Sequence, residues 1–187
     1  MLCFSSLLLP AMAAGPVSAE YKLKVALVYK LIRFVEWPQA ASGKPPERFG
    51  ICVLGRDDFG TALDALEERK VGGVPIVIQR FSQSKNIEMQ CQLVFISDSK
   101  RAFLKPILHA FGERPILTIG DSAKFAEKGG MIQLTSGEKR IGFKINLQRA
   151  RASSLKIAAP LLQLATIVGS KDVGSKKVPV KDKGDTQ

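Results

Sequence analysis

The chain has 187 residues, 45% of them hydrophobic and 24% charged, with a formal net charge of +11 and a pI near 9.8. This length fits one substantial core, a single domain with extensions, better than two domains, and the scattered Gly and Pro exclude a collagen-like or globally disordered chain. The basic balance directs attention to anionic partners: nucleic acid, lipid headgroups or an acidic protein domain.

Met1 to Ala19 carries no charged side chain, includes the apolar run Leu7-Leu8-Leu9, and ends in small residues with Val17 and Ala19 spaced as in a cleavage site. It reads as a signal peptide cleaved near Ala19, with no basic residue at its start. Pro10, Gly15 and Pro16 argue against a buried N-terminal helix there. Export would leave two cysteines, Cys52 and Cys91, and an even count in an exported chain favours a structural disulfide. Two buried free thiols would be the reading for a cytosolic protein. A bridge across that separation would contribute about 4 kcal/mol at most by loop entropy. Export, and the lack of any RNP-like, zinc-finger or basic-helix pattern, argue against nucleic acid. No later segment has the 18 to 20 or so consecutive apolar residues that span a bilayer.

From Glu20 to Glu36, Leu23, Leu27, Leu31 and Phe34 recur at helical spacing beside Val28 and Val35, predicting an amphipathic helix that Trp37-Pro38 stops. Ala40 to Arg48 is a loop. Phe49 to Leu54, the turn Gly55-Arg56-Asp57-Asp58 and a helix over 59–68 form a strand, turn and helix. Gly72-Gly73 leads into a strand over Val74 to Phe81, followed by a polar stretch and a buried-type strand over Leu93 to Ile96. Ser97 to Ser99 caps a helix reaching Phe111 and ended by Gly112. Pro115 to Ile119 is a strand, and Asp121 or Ser122 caps a short helix ending at Gly129-Gly130. Met131 to Leu134 and Arg140 to Ile145 flank a turn and read as an antiparallel hairpin closing one edge of the sheet. Leu147 to Ala152 is helical, a last helix starts near Pro160 and runs through Val168, and Gly169 to Gln187 is a disordered basic tail. The expected fold is α/β: a single domain over 20–168 with a largely parallel sheet flanked by helices and an antiparallel C-terminal hairpin at one edge.

Candidate chemistry is sparse. His109 is the only histidine, on a helix between Leu108 and Ala110, so a catalytic triad or a zinc site lacks partners. Gly55-Arg56-Asp57-Asp58-Phe59-Gly60 sits between strand and helix but lacks the Lys-Ser/Thr of a phosphate loop and sets two carboxylates where the anion would lie. Asp57 or Asp58 is read instead as a helix cap. Asp121, after a strand, occupies the carboxyl edge where ligands of such sheets bind, and is likewise read as a cap. No catalytic residue, metal or cofactor is expected.

The segments Phe34-Val35-Glu36-Trp37-Pro38, Cys52-Val53-Leu54-Gly55 with Phe59-Gly60, and Val71-Gly72-Gly73-Val74-Pro75 carry a resemblance when taken in order. With them go Cys91 before Leu93-Val94-Phe95-Ile96-Ser97, Pro115-Ile116-Leu117-Thr118-Ile119-Gly120-Asp121, and Gly129-Gly130-Met131-Ile132 leading to Ile145-Asn146-Leu147. Together they resemble the YfiR-like family of periplasmic repressors over most of the mature chain. The resemblance implies a periplasmic protein that binds the sensory domain of a membrane-bound diguanylate cyclase, lowers cyclic di-GMP signalling, and is relieved by an outer-membrane lipoprotein. It also implies that Cys52 and Cys91 form a family disulfide sensitive to envelope redox stress. Some relatives carry a second cysteine pair near the Gly-Gly-Met turn, where this chain has Ala126 and Gln133. Where the family has a Leu-Lys-Ile-Ser-Ser stretch, this chain reads Leu155-Lys156-Ile157-Ala158-Ala159.

Function would then be contact rather than turnover, with a homodimer also among the expected assemblies. The candidate contacts are Phe34 and Trp37 at the end of the first helix, and Arg140, Phe143 and Asn146 around the hairpin. Phe34 and Phe143 also read as core residues, and Asn146 as a helix cap. A competing reading places a small molecule at the carboxyl edge of the sheet near Gly55 and Gly120.

Overall fold

The computed structural model describes residues 18–38, 46–85, 87, 90–137 and 141–169. Most of the expected signal segment, Arg140 and the tail beyond Gly169 lie outside them. Helix α1 (Ala19–Ile32) starts where the Ser18 hydroxyl accepts the Tyr21 N–H at 3.3 Å. Its buried face is Lys24, Val25, Val28, Leu31 and Ile32. That stripe is turned by about one residue, roughly 100°, from the predicted one. Leu23 is 51% exposed and Phe34, beyond the helix end, is 40% exposed. Two apolar stripes compete on this helix, and the ion pairs of Lys24 hold the Val25–Val28–Ile32 side inward.

After α1 come the two-residue strand β1 (Val35–Glu36), β2 (Phe49–Leu54), helix α2 (Thr61–Asp64), β3 (Lys70–Val71) and β4 (Val74–Phe81). Helix α2 is one turn, shorter than predicted. Neither Asp57 nor Asp58 caps it: its N-cap is Gly60, and Asp57 instead accepts the Phe59 N–H at 2.8 Å, closing the turn before the helix. Gly72 and Gly73, both at positive φ, join β3 to β4 in a two-residue hairpin. Next follow β5 (Leu93–Ile96), a 3-10 turn over Asp98–Phe103 capped by Ser97, helix α3 (Leu104–Phe111) ended by Gly112, and β6 (Leu117–Gly120). Residues 122–129 form turns rather than a helix. The Phe125 ring occupies the space where a Cβ on Gly120 or Gly130 would go, which fixes that loop against the sheet. Then come β7 (Ile132–Ser136), β8 (Ile141–Asn146), α4 (Leu147–Ala152), β9 (Lys156–Ile157), α5 (Ala159–Leu164) and β10 (Thr166–Val168).

Eight strands form one curled sheet in the order β10-β8-β7-β6-β5-β2-β4-β3. The pairs β2/β4, β2/β5, β5/β6, β6/β7 and β8/β10 are parallel, whereas β7/β8 and β3/β4 are antiparallel. The predicted hairpin is β7/β8, and β10 adds one more strand outside it. The residues after Leu164 were read as helix, but Thr166–Val168 pair with Lys144–Asn146. β-Branched Thr, Ile and Val in sequence favour that outcome.

Strands β2, β5 and β6 are buried along their whole length, as central parallel strands must be. Side chains alternate between two cores. Ile51, Val53, Leu93, Phe95, Leu117 and Ile119 join α1, α2, α4 and α5 in one core. On the other face Cys52, Leu54, Val94 and Ile96 pack with Ile87, Cys91 and the buried side of α3. The Cys52–Cys91 disulfide lies in this second core, with Cα atoms 5.9 Å apart.

Candidate partner-docking surface

Trp37 follows β1, five residues beyond the end of α1 and not at the end of a helix running to Glu36 as expected, and closes over β2. Its ring meets Phe49 edge-on at 5.0 Å, and its indole N–H donates to the Gln92 carbonyl at 3.3 Å. Gln92 is held in turn by β2: its side-chain oxygen accepts the Gly50 N–H at 2.6 Å, and its own N–H donates to the Gly50 carbonyl at 2.9 Å. Gly50 has to be glycine, because a Cβ there would overlap the Gln90 carbonyl. That close approach brings the Gln90–Gln92 segment onto β2, so Cys91 reaches Cys52 while Gln92 reaches Trp37. The disulfide and the indole are thus anchored through adjacent residues.

Trp37 is a wall of two grooves. One, of about 480 Å³, is lined by Ile32, Arg33, Val35, Phe49, Lys70 and Val74 among others. The second, of about 710 Å³, is lined by Glu36, Pro38, Arg151, Ser154, Leu155 and Lys156. The strand pair β1/β9 lies beside them: Val35 and Glu36 pair with Ile157 and Lys156, and the Phe34 carbonyl accepts the Ala158 N–H at 2.9 Å. Arg33, Lys70, Arg151 and Lys156 rim the grooves without an ion pair among the described residues, against the one carboxylate of Glu36. Apolar walls with unpaired cations suit an acidic protein surface.

Of the sequence-predicted contact residues, Trp37 lines both grooves; Phe34 lines neither, but it is more exposed than a core reading allows, and its carbonyl is bonded in the adjoining β1/β9 segment. Phe143 is half-buried against the first core, and neither it nor Asn146 lines either groove. Asn146 caps α4: its oxygen accepts the Arg149 N–H at 3.0 Å and its NH2 donates to the Ala126 carbonyl at 2.9 Å. Arg140 lies outside the described residues. The cationic rim was not singled out from sequence, because Arg33, Lys70, Arg151 and Lys156 are brought together only by the fold.

On the α1 side, the carboxyl edge of the sheet is filled by the chain itself. The Lys24 ammonium, 4% exposed, bonds Asp121 at 2.6 Å and Glu20 at 2.8 Å. Asp121 therefore serves as an ion-pair partner and not as the helix cap expected of it. The Tyr21 hydroxyl donates to Asp58 and Asp121 at 3.3 and 3.4 Å. Burial raises the Tyr21 pKa, and the neighbouring carboxylates push it further in the same direction. Ser99 and the stem of Lys100 crowd Gly55, and Phe125 covers Gly120. Asp57 and Asp64 are held by Arg80, at 2.6 and 2.7 Å. His109 is exposed on α3, and among the described residues no group of three or more His, Cys, Asp or Glu could hold a metal.

The fold and this surface together describe a disulfide-stapled α/β module with an apolar, cation-rimmed face. The chain belongs to the YfiR/HmsC-like family, whose model matches residues 21–166. Members of that family are regulators rather than enzymes, and membership is consistent with a periplasmic regulator of diguanylate cyclases. Among the described residues no helix is long and apolar enough to cross a membrane. The fold is also similar to a solved structure described as a conserved domain protein from Vibrio cholerae O1 biovar eltor str. N16961, at 12% identity and a TM-score of 0.53. The match covers 79% of this chain and 59% of that one, so this chain spans less than two thirds of that protein's length. At such identity the likeness concerns fold alone.

Proposed function

We propose that this chain is an exported repressor that binds the periplasmic sensory domain of a membrane-bound diguanylate cyclase and lowers cyclic di-GMP signalling without turnover of its own. In this reading residues 1–19 are the signal peptide, 20–168 the binding domain and 169–187 a basic tail. Bound repressor favours an inactive geometry of the cyclase. An outer-membrane lipoprotein competing for the same surface releases it, with coupling limited by the difference in affinity between the two states. The observation that carries the reading is the Trp37 wall between two cation-rimmed grooves, beside exposed Phe34 and anchored through Gln92 next to Cys91.

The test is calorimetric titration of the purified protein against the cyclase periplasmic domain. Phe34→Ser is expected to weaken binding by about tenfold or more, as loss of an interface aromatic does. Its thermal midpoint should stay close to that of the parent, since the side chain is largely outside the core. Unchanged affinity in both Phe34→Ser and Trp37→Leu would place the interface elsewhere.

A further inference from the structure

A third groove lies on the opposite face of the sheet from Trp37, at the carboxyl ends of β2 and β4. It has a volume of about 330 Å³. Its buried lining is Leu54 and Ile107, members of the same core as the disulfide. Pro106 and Phe103 form its outer apolar wall, and Phe103 is 61% exposed, a large aromatic left uncovered at the mouth of a concave site. Ser82, Gln83 and Ser84, which follow β4, add hydroxyl and amide groups to the lining.

Among the described residues, Lys100 is the cation of the lining. Its stem packs on Gly55, where its Cγ lies 2.9 Å from the position of a Cβ, so glycine at that turn leaves room for the lysine to lie along the groove. Lys100 has no ion pair or side-chain hydrogen bond among the described residues; the carboxylate on its own turn, Asp98, pairs with Arg101. An apolar slot with a few polar groups and, among the described residues, a free cation is the arrangement that orients a small amphipathic anion. At roughly 30 Å³ per water-sized group, the groove holds about ten non-hydrogen atoms.

We infer that this groove is a binding site for a small carboxylate with an aromatic or short aliphatic body, the body against Phe103, Pro106 and Ile107 and the carboxylate on the Lys100 ammonium. The site stands apart from the Trp37 surface and does not depend on the partner assigned to it. It also lies beside Gly55 and away from Gly120, whose flank Phe125 closes.

The experiment is an amide-resolved NMR titration of the disulfide-intact protein with 3-phenylpropionate, and in parallel with the neutral 3-phenylpropionamide. Saturable shifts are expected at the amides of Ser82, Ser84, Lys100 and Phe103, with the amide probe about fivefold weaker, the scale of one exposed ion pair. Lys100→Gln should bring the carboxylate down to the affinity of the amide and leave the amide unaffected. Phe103→Ala should weaken both probes. Shifts that do not saturate, that centre on the Trp37 grooves, or that are equal for both probes would overturn the assignment, and the same spectra report whether each variant is folded.

Discussion

Lys24 occupies a position where an apolar residue would ordinarily close the core, and it stays there because Asp121 and Glu20 surround its ammonium. Burial works against the charged form, and the hydrogen bonds that the ammonium donates to Asp121 and Glu20 outweigh it, so the pKa is raised. Its contribution to stability is therefore complete below the ordinary lysine pKa of about 10.4 and is lost only as pH rises through the higher folded value. Glu20 is the opposite case: hydrogen bonds from Lys24 and Ser136 lower its pKa, so its contribution is present above about pH 4.3 and fades as pH falls through the lower folded value. Thermal unfolding should accordingly be level through neutrality and fall in acid, and Glu20→Gln should flatten the acid limb; an unchanged limb would mean that Glu20 is not linked to folding. Asp121→Ala leaves a buried ammonium with one half-exposed partner, and denaturant unfolding should show a loss of about 3 kcal/mol, most of it regained in Lys24→Met with Asp121→Leu. The sequence pattern could not place Lys24 inside, because its partner at 121 is distant in the chain. It did place Cys52 correctly, since a cysteine within an apolar run is a local signal; Trp37-Pro38, expected to stop the first helix, instead lies five residues beyond its end, because Val35 and Glu36 pair with β9.

At the level of elements, the long apolar runs were readable: β2, β4, β5 and β6, the Ser97-capped segment ending at Gly112, and the β7/β8 hairpin all lie where periodicity and turn residues put them. The strands β1, β3, β9 and β10 were not readable, because two or three residues carry no period and form only where a distant strand supplies hydrogen bonds. Half of the candidate surface depends on such elements: β1 and β9 set Glu36 beside Lys156 and bring Arg151 near Trp37. Gly50 is the other hidden determinant. Its freedom is needed for the close approach of Gln90, not for a turn. Gly50→Ala should force that segment off β2 and cost about 2 kcal/mol in denaturant unfolding, the scale of a core overpacking. It should also increase the solvent exposure of Trp37, seen as a red-shifted indole emission; a stable variant with unshifted emission would break the proposed link between Gly50, Gln92 and the indole.

On the scale of the whole molecule, one sheet separates two cores with different duties. The larger core carries α1 and the Trp37 surface, and the smaller one carries the disulfide and the carboxylate groove. Fold class was legible because alternating strands and helices leave few alternatives. The docking surface was only partly legible, since its cations are scattered from Arg33 to Lys156 and meet only in the folded chain. The bridge ties Cys91, and with it the Gln92 carbonyl that holds Trp37, to β2. Loss of the bridge should therefore loosen the docking wall as well as lower stability by about 4 kcal/mol at most.

The most direct measurement is intracellular cyclic di-GMP in the host with this gene deleted, compared with the parent and with strains restored by the wild-type or the Cys52→Ser protein. The account predicts a rise on deletion that the wild type reverses and Cys52→Ser reverses poorly at equal protein abundance. A level that does not change on deletion would contradict repression of a diguanylate cyclase.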